Sequence, residues 1–434
     1  MKSLFRNALI LALIVFGFSV HAQKNNRSLD NYREPDKNGI NVFESPKDTI
    51  STFNNVSVRI GGSSTIQYQA LDHSNSNATI TVEGVPTSPY QLKDIGYNFN
   101  LATANLDVDV VLYDGVRMHL RTYLSSRHHP EPYVKGGYIQ IDKLDFVSEG
   151  FMKELMDYTT IKIGHMENNY GDAHFRRTDN AQAIYNPFVG NLIMDAFTTE
   201  VGAEVYYRRN NFIGMLGFAN GKLNQSIDKQ NGNTGGASLL AKLGYDKQIN
   251  EDLRLRLTGS LYNTGYVQNS YLYSADRAGS RYYGVMVLDG ADDNFRSGRY
   301  NPNLKNKITA IMINPFIKYK GAEFFGTIET ANGKADTETD DRTVNQFAGE
   351  LIYRFGPTEN FYFGGKYNTL SAEDSNAVDD KINITRFQVS GGWFMTKNIL
   401  LKAEYVTQKY DDYKVGVFED GEFSGLMVEA AISF

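Results

Sequence analysis

Apolar and polar residues alternate with a period of two along most of the chain, in short runs separated by turn residues. Leu106, Val108, Val110 and Leu112 alternate with Asp107 and Asp109. After Asp114-Gly115, Val116, Met118, Leu120 and Leu124 alternate with Arg117, His119 and Arg121. Successive side chains of a strand point to opposite faces, so each run predicts a strand with one apolar and one polar face. A slip of one residue would exchange the faces, so the apolar positions set the register. A two-residue turn would place Leu112 against Arg117. A three-residue loop Tyr113–Gly115 instead sets Leu112 opposite Val116, Asp109 opposite His119 and Asp107 opposite Arg121. Around Lys320-Gly321 the same reasoning sets Lys318 against Glu323 and Ile317 against Phe324.

Extended over the chain, this grammar predicts about sixteen strands, the first near 55–71 and the last Glu422–Phe434. Connections alternate between short turns and long polar loops near 72–92, 167–195, 221–235, 264–307, 331–342, 371–382 and 410–421. Only Leu144–Asp157 is long on the short-turn side. The fold class is therefore all-β: a transmembrane antiparallel β-barrel, with short periplasmic turns and long extracellular loops. A soluble sandwich would also alternate, but it must bury its apolar face against a second sheet and protect its edges. A closed sheet turns that face to lipid, leaves no edge and encloses a channel.

The first 22 residues read as a secretory signal peptide: Lys2 and Arg6, the apolar run Leu9–Phe18, then Val20-His21-Ala22 before Gln23. No later run has the length and apolarity of a transmembrane helix; Ile308–Ile317 contains Asn314 and Pro315. Residues 23–50 are polar, mixed in charge and without period, and read as an exposed N-terminal periplasmic segment. A folded plug is the alternative, against which stands the scarcity of apolar residues. The barrel occupies 51–434. Of 44 basic and 50 acidic residues, the leader removes Lys2 and Arg6, leaving 42 against 50 and a net charge of about −8. An acidic balance argues against nucleic acid as a partner. The chain has no cysteine, hence no disulfide framework.

In the last strand Leu426, Val428, Ala430, Ile432 and Phe434 share one face. A terminal strand in this phase that ends on Phe434 resembles the recognition signal read by barrel-assembly machinery. Tyr206, Tyr207, Tyr353, Phe361, Tyr362, Phe363, Phe394 and Tyr405 lie near strand ends, as interfacial girdles require.

On the polar face, Asp107, Asp109, Arg117, His119, Arg121, Arg254 and Arg256 are expected to line the lumen, with Lys402 and Glu404. Rings of such charges set ion preference, although pairing with neighbours is the plainer role. The strand that begins near Tyr158 is expected to break at Gly164 and lead into a long charged loop. That loop contains Asp172, His174, Arg176, Arg177 and Asp179, then Tyr185-Asn186-Pro187-Phe188. Its aromatic content argues against disorder, and packed on the inner wall it would form a pore constriction. An outer cap that never enters the barrel is the alternative.

The stretch IKIG…GD…RR…NPF…TTEVGAEV, within Thr159–Tyr206, resembles the corresponding part of the phosphate-selective (O and P type) porin family of Gram-negative bacteria. The resemblance implies a sixteen-stranded outer-membrane barrel, commonly a homotrimer, with an inward-folded third loop and basic residues along an anion path. The functional expectation is a passive porin for small hydrophilic solutes, surrounded by outer-membrane lipid and lipopolysaccharide. A sugar or peptide channel using the aromatic loop 264–307, or a barrel serving adhesion, are the alternatives. No enzymatic activity, cofactor or metal is expected. There is no Gly-x-Ser-x-Gly elbow. The histidines His119, His165 and His174 lack triad spacing, and His128-His129 are adjacent, which ill suits one ion. Asp336, Glu338, Asp340 and Asp341 form an acidic loop able to bridge lipopolysaccharide through divalent cations, or simply to be solvated.

Overall fold

The structure, a computed structural model, describes residues 27–124, 133–178, 182–223, 227, 229, 235–274, 281–292 and 295–434. The signal peptide, Asp179 and His128–Glu131 lie outside them. Sixteen antiparallel strands form one closed barrel in sequence order. They are β1 (Ser57–Ser74), β2 (Asn98–Tyr113), β3 (Val116–Tyr123), β4 (Tyr133–Ile141), β5 (Thr159–Glu167), β6 (Thr199–Arg209), β7 (Phe212–Ala219) and β8 (Ser238–Gln248). Then follow β9 (Leu253–Thr264), β10 (Lys307–Tyr319), β11 (Ala322–Lys334), β12 (Arg342–Phe355), β13 (Phe361–Glu373), β14 (Lys381–Thr396), β15 (Ile399–Asp411) and β16 (Glu422–Ser433). β1 pairs with β16, from Ser63 opposite Ser433 to Ser74 opposite Glu422, so the sheet has no edge. Gly62 and Phe434 exchange both backbone hydrogen bonds, at 3.0 and 3.1 Å, extending this seam to the last residue.

Alternation decides which way each strand faces. On β13, Phe361, Phe363 and Tyr367 are exposed on the outer surface, whereas Tyr362, Lys366, Asn368 and Leu370 are buried inside. The outer positions of the other strands are likewise apolar: Leu239 and Leu243 on β8, Leu351 and Tyr353 on β12, Val389 and Trp393 on β14. A continuous apolar belt around a closed sheet with paired backbone groups is the form that lipid permits. Near the short turns, Tyr353, Phe355, Phe361 and Trp393 make a stacked row with neighbouring rings 5.7–6.2 Å apart. Tyr207, Phe363 and Tyr405 also face outward, but Tyr206, Tyr362 and Phe394 belong to the alternate face and are buried inside. They are not girdle residues.

Asp107 stands opposite Arg121 and Asp109 opposite His119, as the apolar positions require. The turn differs from expectation. Tyr113 pairs with Val116 across a two-residue turn, and a bulge between Val111 and Tyr113 sets Leu112 aside and restores the phase. β5 also does not break at Gly164; it continues to Glu167. Gly164 adopts φ +139°, and a Cβ there would lie 2.4 Å from the Gly137 carbonyl. Glycine is what lets the two strands approach.

The enclosed space is not an empty tube. Residues 168–178 and 182–198 fold inside, with Tyr170, Phe188, Val189, Ile193 and Met194 almost fully buried. The described parts of the long loop, 265–274, 281–292 and 295–306, pack onto them from the long-loop end. Its Tyr273 donates to Glu329 at 2.8 Å, Tyr282 to Glu404 at 2.7 Å and Tyr300 to Asp374 at 2.8 Å. From the short-turn end, residues 27–50 enter the same space: Leu29, Tyr32, Asp36, Asn41, Phe43 and Glu44 are all buried. That segment was expected to be exposed.

Candidate functional site

The inward loop is anchored to one half of the barrel, from β8 round to β16. Asp172 is its main tether. Arg256 donates to both of its carboxylate oxygens at 2.8 and 3.0 Å, Thr258 at 2.8 Å and Lys242 at 3.0 Å, while Asn314 accepts its backbone N–H at 2.7 Å. Glu44 of the N-terminal segment reaches the same Arg256 at 2.9 Å. Asp172 and Glu44 with Arg256 and Lys242 thus form a buried knot joining segment, loop and wall, and Asp246 also accepts from Arg256 at 3.0 Å. Burial alone would raise both carboxyls, but the Arg256 and Lys242 charges outweigh it and hold Asp172 and Glu44 below the usual range.

A carboxyl depressed by folding contributes stability above its unfolded value, about 4, and loses it as pH falls toward the folded value. The knot is therefore expected to hold from neutral pH to about 5 and to loosen only below about pH 4. Protease access to residues 27–50 across that range is the measurement; a rise in access already between pH 7 and about 5 would contradict the assignment.

Further along the loop, the wall holds main-chain groups. Lys402 donates to the carbonyls of Ala183, Asn186 and Phe188 at 3.1, 3.0 and 2.8 Å, and pairs with Glu429 at 2.8 Å. Glu404 accepts the Val189 N–H at 2.7 Å, Asn368 that of Ile193 at 2.7 Å and Gln346 that of Met194 at 2.8 Å.

Arg176 and Arg177 are part of this anchoring. Arg176 donates to Glu350 at 3.2 Å and Asn41 at 2.6 Å; Arg177 pairs with Asp195 at 2.5 Å and lies over the Phe197 ring. Both are buried and paired, and the cavity they line holds only about 20 Å³, so they serve the anchoring rather than standing as free charges in the bore. The expectation for Asp172 is corrected likewise. His174, bonded to Glu167 at 3.1 Å and Asn169 at 3.0 Å, borders a larger cavity on the other side of the loop.

Because the loop is drawn to β8–β16, space remains against β3–β5. A cavity of about 140 Å³ lies there. Its wall side presents Arg117, His119, Arg121, Lys135, Lys162 and Glu167; the loop contributes His174, and the N-terminal segment Arg33 and Glu44. Several of these bases are already paired. Arg121 forks onto Asp107 at 2.7 and 2.6 Å, and Arg117 and His119 both bond Asp109 at 2.9 Å. Lys162 differs. It lies 5.4 and 5.3 Å from the Tyr138 and Tyr206 rings, and among the described residues no carboxylate is within salt-bridge distance of it. Arg33 is held by the carbonyls of Gly39 and Phe175 and by the Tyr185 ring, 3.7 Å below it. Arg254 and Arg256 do face inward, but at the short-turn side, where Arg254 forks onto Asp246 at 2.8 and 2.7 Å.

Lys162, Lys135 and Arg33 are the cavity residues that the sequence reading did not single out. Lys162 was legible, since Ile161 and Ile163 flank it at period two. Lys135 was not: a bulge opposite Arg121–Thr122 turns it inward out of phase. Of the histidines, His119 bonds Asp109, His174 bonds Glu167 and Asn169, and His165 bonds Thr199 at 2.9 Å. Among the described residues, none of the three joins a hydroxyl to a carboxylate. In the acidic loop Glu338 pairs with Arg342 and Asp341 with Lys307, which neutralises much of its charge.

The same barrel occurs among solved structures. An anion-selective porin from Comamonas acidovorans superposes with a TM-score of 0.53 at 11% identity, over 88% of this chain and 100% of that one. The fold is that of outer-membrane porins. OmpT, an outer-membrane protein of Vibrio cholerae in its trimer form, gives 0.50 at 11% identity over 88% and 100% of the two chains. The outer-membrane channel DcaP of Acinetobacter baumannii gives 0.50 at 12% over 88% and 98%. No family model matches the sequence, and no curated protein matches it. At such identities the similarity speaks for the fold alone.

Proposed function

We infer that the protein is an outer-membrane porin for small hydrophilic solutes, with a preference for anions, and not an enzyme. The observation that carries this reading is the cavity beside β3–β5, where Arg33, Lys135 and Lys162 add positive charge to a wall whose carboxylates Asp107 and Asp109 are already engaged. Basic linings favour anions. The likeness of Thr159–Tyr206 to phosphate-selective porins supports the same sign. The reading as a sugar or peptide channel loses its main support, because Tyr273, Tyr282 and Tyr300 of the long loop are packed away rather than presented to a solute. Conductance in planar bilayers tests the reading, and the reversal potential in a salt gradient tests the sign. Absence of conductance under every condition would sink it.

Membrane lipid and lipopolysaccharide are the proposed surroundings, and a homotrimer the proposed assembly. Phe434 is proposed as the assembly signal. Its backbone closes the β1–β16 seam while its side chain lies exposed on the outside, free to be read before closure. Deleting Phe434 is expected to lower the yield of heat-modifiable, folded barrel in the membrane several-fold; an unchanged yield would remove that role.

A further inference from the structure

We propose that residues 29–46 form a displaceable plug, and that the channel conducts fully only when this segment leaves the bore. The inference rests on the channel reading above. The segment touches the wall almost all the way round. Tyr32 accepts from Arg59 of β1, and the Asn31 carbonyl from Gln140 of β4. The Ser45 carbonyl accepts from Arg208 of β6, and the Asn41 carbonyl from Arg254 of β9. Asn41 donates to Glu323 of β11 at 2.8 Å. Lys37 bonds the Thr358 carbonyl in the β12–β13 turn, and its N–H bonds the Lys397 carbonyl in the β14–β15 turn at 2.8 Å. A segment with partners on β1, β4, β6, β9, β11 and two further turns crosses the full width of the bore.

Its inner side meets the inward loop. Phe43 packs edge-on against Phe175 and Phe316, 5.9 and 5.4 Å between centroids, and Tyr185 donates to the Glu34 carbonyl at 2.5 Å. The basic cavity lies in the angle between the two, with Tyr32, Arg33, Phe43 and Glu44 forming part of its lining. On that route a solute meets the segment before it reaches the short-turn side.

The chemistry of the contacts suits displacement. Leu29, Tyr32 and Phe43 are the large apolar side chains of the segment that are buried; apart from the Glu44–Arg256 pair, most remaining contacts are hydrogen bonds and ion pairs that water can replace. A covalently continuous plug with little apolar burial can leave and return without unfolding the barrel. The closed barrel does not depend on it, since every strand is paired on both sides by other strands.

The chain has no cysteine, so a single engineered pair reports cleanly. Asp36 pairs with Lys397 at 3.0 Å, and Asp36→Cys with Lys397→Cys would tie the segment to the β14–β15 turn. Full-length protein carrying this pair is expected to show low conductance when oxidised and a several-fold rise on reduction. Deletion of 29–46 is expected to give the high level permanently, with heat-modifiable migration verifying the barrel. Should the deletion hinder folding, Phe43→Asp in the full chain is expected to raise the open fraction. Equal conductance of wild type, oxidised pair and deletion or Phe43→Asp variant would overturn the plug. A raised deletion variant with an oxidised pair that still conducts as the reduced one would overturn its movement. No conductance from any of them would instead overturn the channel reading itself.

Discussion

Arg256→Ala is expected to destabilise the inward loop and the N-terminal segment together. Asp172 and Glu44 would then be left with Lys242 as their shared base, and removing one partner from a buried ionic group costs about 3–5 kcal/mol. Asp172 is fully buried and, among the described residues, has no other guanidinium within reach. The strands should survive, because their ladder bonds do not pass through Arg256. The expected result is a barrel of normal migration whose loop becomes open to trypsin after Arg176 or Arg177. A change in urea midpoint equivalent to less than about 0.5 kcal/mol, with the loop still protected, would show that the knot contributes little. Arg176→Ala should have a smaller effect, since Arg176 shares Glu350 with Lys366.

Lys162→Glu is expected to shift the channel toward cations. A unit charge about 4 Å from an ion's path is worth roughly 1 kcal/mol in water and about 4 kcal/mol at an effective dielectric of about 20. Reversing it changes the charge by two units, so the anion-to-cation permeability ratio should fall about tenfold or more, read as a reversal potential in the open state. Lys162 is the apt position because its charge is not spent on a carboxylate, whereas a change at Arg121 would also release Asp107. An unchanged reversal potential would place the ion path elsewhere.

The wall was legible because strands have a strict period and lipid imposes one sign on the outer face. The pairs Asp109–His119, Asp107–Arg121 and Lys318–Glu323 followed from that rule alone. Bulges were not legible, since one inserted residue leaves no compositional trace; Leu112 and Lys135 show the two outcomes, a side chain set aside and a side chain turned in. The loop's entry into the lumen was suggested by Tyr185, Pro187 and Phe188. The direction of Arg176 and Arg177 was not, because an irregular segment has no period to assign faces. Residues 27–50 were the largest difference. A segment held by Asn31, Asp36, Asn41 and Glu44 has the composition of one dissolved in water, and only the partners inside the barrel distinguish the two states.

Lys402, Glu404, Asn368 and Gln346 hold the loop by its amides and carbonyls, groups that every residue type except proline supplies in full. The wall thus fixes the loop's path without fixing its sequence. The side chains of 183–194 are themselves buried, so packing, and not the wall's hydrogen bonds, limits which substitutions the loop accepts. Changes that preserve that packing can accumulate in the loop on a frame that need not change.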